Sequence, residues 1–313
     1  MPENIQLLTT HYPWVLNIFF FCLGACLGSF FNVCIHRIPQ GRSVVTPRSQ
    51  CECGAPVVWF DNLPVLSWIL LRGKARCCGR HFSIRYPVVE ALTGGFFLLA
   101  WWLFGQDNLA LAFGAMLLCG FLIPAVFIDL DHMVIPDMFS IGGTIVGVLF
   151  SCLFPTLHGI EGPGLIAGIL GGVESVLGVL VGSATIYWIG VLGEAAIRKE
   201  AMGEGDVKFL GCIGAFCGWQ GALFGIFGGA CVGTILLLPI LLINKMRGAP
   251  QGKPDPETDG GAQLAFGVHV PFGPLLAVGA VLYIFLCQEF IDGYFENLWQ
   301  TFQEIRFTSP SRF

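Results

Sequence analysis

Acidic residues in apolar surroundings are the first candidates for chemistry in this chain. In the segment AVFIDLDHMVIPDMFS, Asp129 directly follows the apolar run AVFI, with Asp131 and Asp137 further into the polar stretch. In KEAMGEGDVKF, Gly203 and Gly205 bracket Glu204 and lead into Asp206, an arrangement that permits a tight turn and sets a carboxylate at a helix start. Ionisable groups at membrane depth are costly, so they tend to be paired, solvated or functional. Two carboxylates from separate helices can hydrolyse a peptide: one takes a proton from water while its partner, still protonated, polarises the scissile carbonyl. Like charges at close range hold one proton between them and titrate as a pair. The plainer reading is that the acids cap helices at a wet interface, Asp137 beside a helix N-terminus where the macrodipole favours an anion. That reading suits Asp131 and Asp137; Asp129 and Asp206 are the candidate catalytic pair.

A second cluster offers metal chemistry. Cys51 and Cys53 have one residue between them, and Cys77 and Cys78 are adjacent, with Gly54 and Gly79 following each cluster as in a zinc knuckle. Four thiolates suit tetrahedral zinc, although adjacent cysteines chelate one ion only with strain. The alternative is an ordinary thiol-bearing loop. Glu174 stands alone in an apolar, glycine-rich span and receives no role; His132 could tune the protonation of the acids or stand as a solvated surface histidine, and Lys208 could pair with a phospholipid head group.

The elements that must position these groups are membrane helices. The 313 residues are 55% apolar and only 12% charged, and mean hydropathy is +0.74. A soluble domain would carry roughly a quarter of its residues charged, so lipid faces most of this chain. Apolar runs long enough to cross a bilayer lie near 13–35, 88–104, 108–128, 138–154, 165–193, 222–244 and 272–292. The stretch 207–219 adds a short eighth, with Gly211, Gly214 and Gly218 spaced for close helix approach. The run after Pro13 lacks a basic flank and reads as a retained first helix. The expected fold is all-α: a polytopic membrane protein of about eight transmembrane helices, with a small cysteine-containing loop domain between helices 1 and 2.

Eight of the sixteen Lys and Arg residues fall between Arg37 and Arg85, which places that loop in the cytoplasm and both termini outside. The expected divisions are a first helix (1–35), a cytoplasmic cysteine-containing domain (36–87), a transmembrane core (88–292) with a mobile cytoplasmic linker (244–270), and a C-terminal tail (293–313). Thirteen cysteines without a paired extracellular pattern suit a reducing cytoplasm. A net charge of −5 argues against nucleic acid as a partner; the bilayer is the expected surroundings.

The ordered strings GSFFNVCIHRIP from Gly28, PRSQCECG from Pro47, WFDNLPVLSWILLRGKARCCG from Trp59, SIRYPVVEALTG from Ser83, IDLDHMVIPD, GEGDVKF and VPFGP cover most of the chain. Through them the sequence resembles bacterial type IV prepilin peptidases, bifunctional leader peptidases and N-methyltransferases of pilus assembly and type II secretion. The resemblance implies an inner-membrane enzyme whose catalytic pair is Asp129 and Asp206. Its substrates would be prepilins and pseudopilins with a short basic leader, a Gly before the scissile bond and an apolar helix. It also implies methylation of the new N-terminus with S-adenosylmethionine, although no glycine-rich Rossmann signal is present. Family members commonly carry two C-x-x-C pairs where this chain has the shortened Cys51/Cys53 and Cys77/Cys78, which bears on zinc and methylation more than on cleavage. The rival from another class is a proton- or ion-coupled transporter using the same aspartates.

Overall fold

A computed structural model describes residues 11–51, 53–162, 164–198, 202–246 and 271–308. Nearly all of the linker read at 244–270 lies outside the described residues. The elements are helices: α1 (Pro13–Arg37), the short α2 (Leu66–Leu70), α3 (Arg85–Phe104), α4 (Leu109–His132), α5 (Asp137–Leu153), α6 (Leu165–Ile197), α7 (Glu204–Met246), α8 (Gly273–Leu282) and α9 (Gln288–Thr308), the last two joined through a π-helical turn at Tyr283–Cys287. Six helical stretches are long and apolar enough to cross a membrane. The 17-residue α5 is a shorter apolar helix, and α7 contains a break at Gly218, whose φ of 68° interrupts the helical backbone. With α7 divided there, the described residues hold all eight apolar segments expected from hydropathy. Beyond residue 292 the chain stays helical to Thr308, with Phe290, Tyr294, Leu298 and Phe302 recurring on one face.

Outward surfaces of these helices are as apolar as the packed ones. On α1, Ile18, Phe19, Leu23 and Phe30 are exposed, whereas Gly24, Gly28 and Phe31 are buried. A helix in water would place charge on its outer face; here the arrangement fits a multi-pass membrane protein.

The chain divides into two compact units, Met1–Gly171 and Gly172–Phe313. In the first, α1 packs along α3 and α3 along α4. Contact between α1 and α3 depends on small residues: a β-carbon on Gly24 would fall 2.8 Å from the Thr93 carbonyl oxygen, and one on Gly28 would fall 2.7 Å from the Glu90 Cα. Between lipid-facing helices such backbone proximity supplies the dispersion contacts that a hydrophobic effect cannot. Where α1 and α3 end at the loop domain, Asn32 donates from Nδ2 to the Tyr86 carbonyl oxygen at 3.1 Å.

In the second unit, α6 meets α7 at Gly178 and Gly214, where a β-carbon on either would overlap backbone of the other. The buried Ser175 Oγ donates to the Ala215 carbonyl oxygen at 2.8 Å, and Ser183 Oγ donates to that of Val207 at 3.0 Å. Alanine at position 178 would gain about 1 kcal/mol of helix propensity over glycine. The clash is with backbone, which cannot swing aside, so steric cost dominates. Gly178→Ala is therefore expected to destabilise the second unit by about 1–3 kcal/mol, read as a lower unfolding midpoint in detergent.

Candidate active site and cysteine cluster

Asp129 occupies the last turn of α4. Its carbonyl oxygen accepts the Met133 amide at 2.8 Å, and Met133, at φ 52°, ends the helix in the left-handed region. A short non-helical connection follows, and Pro136, extended at φ −64° and ψ 138°, leads into α5. Of the three acids in this segment Asp129 is the buried one, 6% exposed; Asp131 and Asp137 face outward.

Arg85, the first residue of α3, secures this helix end. Its Nη1 donates to the Asp131 carboxylate and its Nη2 donates to the Phe127 carbonyl oxygen at 2.8 Å. The guanidinium also sits 5.0 Å from the centre of the Phe127 ring. A cation at a helix C-terminus complements the macrodipole, and the fork of the guanidinium holds two groups at once. The residues two before and two after Asp129 are thereby both held by Arg85 at the end of the helix. Sequence reading did not single out Arg85, because a pair 46 positions apart is invisible to periodicity. Its signal was a lone cation at the mouth of a helix whose one other charged residue is Glu90.

Asp206 lies in the first turn of α7. Its amide donates to the Gly203 carbonyl oxygen at 3.1 Å, so the glycine-bracketed segment closes as the turn expected of it. Gly203 leaves the space beside the carboxylate open, since a β-carbon there would stand 3.6 Å from Asp206 Oδ2. The helix N-terminus favours the anion. Lys208 pairs with Glu204 at 3.0 Å in an exposed i,i+4 contact, which contributes little. Asp129 belongs to the first unit and Asp206 to the second.

The four cysteines expected to act together do converge. Cys51 Sγ lies 3.6 Å from Cys78 Sγ, Cys53 Sγ lies 3.4 Å from Cys77 Sγ, and all four sulfurs fall within 4.8 Å of one another. Four thiolates at a Zn–S distance of about 2.3 Å would stand about 3.8 Å apart, so the donor set fits that ion. The shortened spacings are accommodated by two turns. Gly54 (φ 85°) donates its amide to the Cys51 carbonyl oxygen, and Gly79 (φ 70°) donates to that of Ala75, each at 2.8 Å. The Cys51 thiol is pulled down to about 7, first by the Cys53 backbone amide and then by the Cys77 and Cys78 thiols. The Cys77 thiol is pushed up to about 12, first by its hydrogen bond with Cys53 and then by that with Cys51.

Residues 22–104, which include the cysteine cluster and Arg85, match the bacterial peptidase A24 N-terminal domain. Residues 116–238, which include Asp129 and Asp206, match the type IV leader peptidase family. A "prepilin leader peptidase/N-methyltransferase" of Klebsiella pneumoniae is 35% identical over 230 residues, covering 70% of this chain and 94% of the relative. The chain belongs to the type IV leader peptidase family. Another leader peptidase of the same name, from Xanthomonas campestris, is 30% identical over 296 residues, 87% of this chain and 92% of its own. One from Myxococcus xanthus is 36% identical over 236 residues, 74% of this chain, and the match spans only 66% of that longer relative. No solved structure matches this leader peptidase.

Proposed function

We propose that this leader peptidase removes the basic leader from type IV prepilins or pseudopilins at the cytoplasmic membrane face, using Asp129 and Asp206, and then methylates the new N-terminus. What supports the catalytic pair is the contrast within one segment: of three carboxylates, only Asp129 is withdrawn from solvent, on a turn that Arg85 holds, while Asp206 stands at a helix start in the same family match. In the reaction one carboxylate accepts a proton from water as the water oxygen bonds to the scissile carbonyl carbon. The other, protonated, donates to the carbonyl oxygen. On collapse of the tetrahedral intermediate the C–N bond breaks with its electron pair going to nitrogen, the proton taken from water passes to the departing amine, and the hydroxyl proton returns to the carboxylate that gave it.

S-adenosylmethionine would supply an electrophilic methyl group for the second activity. Zinc, held by Cys51, Cys53, Cys77 and Cys78, would order the loop domain.

The test is incubation of the purified protein in lipid with a leader-bearing prepilin, followed by intact-mass analysis. A mass loss equal to the leader is expected, with a further gain of one methyl group when S-adenosylmethionine is present. An unaltered substrate would reject the proposal. Arg85 gives a graded prediction. Arg85→Met removes both anchoring contacts at the end of α4 and is expected to lower kcat for cleavage by about 10²-fold through misplacement. Arg85→Lys, which keeps charge without the fork, should fall between the two. Unchanged kcat in Arg85→Met would show that this turn does not need its anchor.

A further inference from the structure

Within the second unit, α8 runs back along the second half of α7. A β-carbon on Gly229 would fall 2.5 Å from the Leu275 carbonyl oxygen, and one on Gly221 would fall 2.6 Å from the Tyr283 ring. The end of α8 therefore lies beside the break at Gly218, about 20 Å of helix away from Asp206. Past the π-helical turn the chain continues as α9. There the Tyr283 hydroxyl donates to Asp292 Oδ1 at 2.7 Å, and the Phe295 ring meets that of Trp219 at 4.8 Å between centres. A helix starting at Gly273 needs about twenty residues to cross the hydrocarbon core, which brings it to Asp292. The rest of α9 lies beyond that core.

From Glu296 to Glu304 every residue is exposed, so nothing in the described chain covers this stretch. A helix of so few turns is marginal in water unless a surface supports its apolar side. That side is large: Phe290, Tyr294, Leu298, Trp299 and Phe302 are 76%, 58%, 40%, 65% and 59% exposed. At 3.6 residues per turn Glu289, Asp292, Glu296 and Glu304 all fall on the other half of the helix.

The width and composition of the apolar half select its partner. A seam for a second helix is a narrow stripe at heptad spacing. A half-cylinder of Phe, Tyr and Trp suits the bilayer interface, where such rings sit at headgroup level. Continuity points the same way, because Leu286, 74% exposed within the span, is followed one turn later by Phe290. Charge sets the manner of binding. Between Gln288 and Glu304 the helix carries four acids and no Lys or Arg, so attraction to anionic lipid does not hold it.

We propose that α9 beyond Asp292 lies in the headgroup layer of the leaflet away from Asp206, with its aromatic half sunk toward the acyl chains and its acids in water. The occupant of this face is the lipid surface itself, bound by apolar contact. Through the Trp219–Phe295 contact the anchored helix fixes the depth of α7, the helix that opens with Asp206.

The experiment places the full chain, one copy per disc, in nanodiscs of zwitterionic phosphatidylcholine. The emission of Trp299 is isolated as the difference between the unaltered protein and Trp299→Phe. Acyl chains brominated near the headgroup should quench it about twofold or more, and amide exchange over residues 296–304 should be slowed at least about tenfold. Both effects should be equal at low and high salt. Joint replacement Leu298→Glu and Phe302→Glu should remove both while leader cleavage continues at the normal rate. The unaltered protein decides the matter even if that variant fails to fold. Unquenched emission with fast exchange would leave the helix in water, and unquenched emission with slow exchange would leave it packed on protein. Slow exchange only in discs holding two copies would assign the face to a second chain. Quenching with fast exchange, protection that salt weakens, or a joint variant that keeps both effects would equally overturn the proposal.

Discussion

Asp129→Asn and Asp206→Asn should each reduce leader cleavage by at least about 10⁴-fold while the protein still inserts in the membrane. Asparagine keeps the shape of the side chain and loses the ability to take or share a proton, so the change isolates the chemistry. At Asp129, which is 6% exposed, replacing a carboxylate by a neutral amide removes a desolvation cost, so folding is not expected to suffer. At Asp206 the helix start loses an anion that is worth about 0.3–1 kcal/mol to it, far too little to unfold the second unit. Residues acting as one catalytic unit are strongly non-additive, and loss of either commonly costs about 10⁴- to 10⁶-fold. The double variant should therefore be little worse than either single one. Cleavage within tenfold of normal in either variant, measured by intact mass, would end the claim that these acids act together. Asp131→Asn and Asp137→Asn are the internal comparison. Both side chains face outward, and neither should approach the loss seen at 129, although Asp131→Asn should share part of the Arg85 effect.

Metal analysis should find one zinc per chain, and replacing Cys51, Cys53, Cys77 and Cys78 by Ser should abolish it. Structural zinc contributes about 10–16 kcal/mol of apparent binding free energy in small domains. Few of the loop domain's apolar side chains are buried, Cys51 and Ala75 among them, so polar contacts such as Arg76 with Asp61 and Val65 with Glu90 hold it besides the metal. Loss of the metal should leave residues 38–84 open to proteolysis while α1 and α3 remain protected by their own packing. Methylation should fall more than cleavage. Protons compete with the metal for the thiols. Cys77 is held protonated up to about 12, so binding must displace its proton, and zinc occupancy should decline as pH falls. Zinc-free protein with an ordered loop would refute the assignment, as would a Ser variant that keeps the metal.

Hydropathy alone carried the membrane segments, because an apolar run of about twenty residues has few alternatives to spanning. It also found the short segment at 207–219, whose Gly211 and Gly214 belong to the α7 turns before the break at Gly218. The continuation of α9 to Thr308 was not visible as a span, since Glu289, Asp292 and Glu296 dilute its hydropathy and its order is amphipathic. Among the site residues, the burial of Asp129 followed from its place directly after an apolar run. The convergence of the four cysteines followed from clustering, despite spacings shorter than a usual knuckle. Arg85 and Glu90 escaped notice for a common reason. Each acts through a contact across the fold, Arg85 with Phe127 and Asp131 and Glu90 with Val65, and such contacts exist only once α1, α3 and α4 have packed.

Those two residues sit on the same helix, five positions and about 7.5 Å of axial rise apart. Glu90 grips the loop at Val65, and Arg85 grips the turn that bears Asp129. One rigid helix opening thus serves two clamps at once, fixing the loop at Val65 on one side and the turn that carries the buried aspartate on the other.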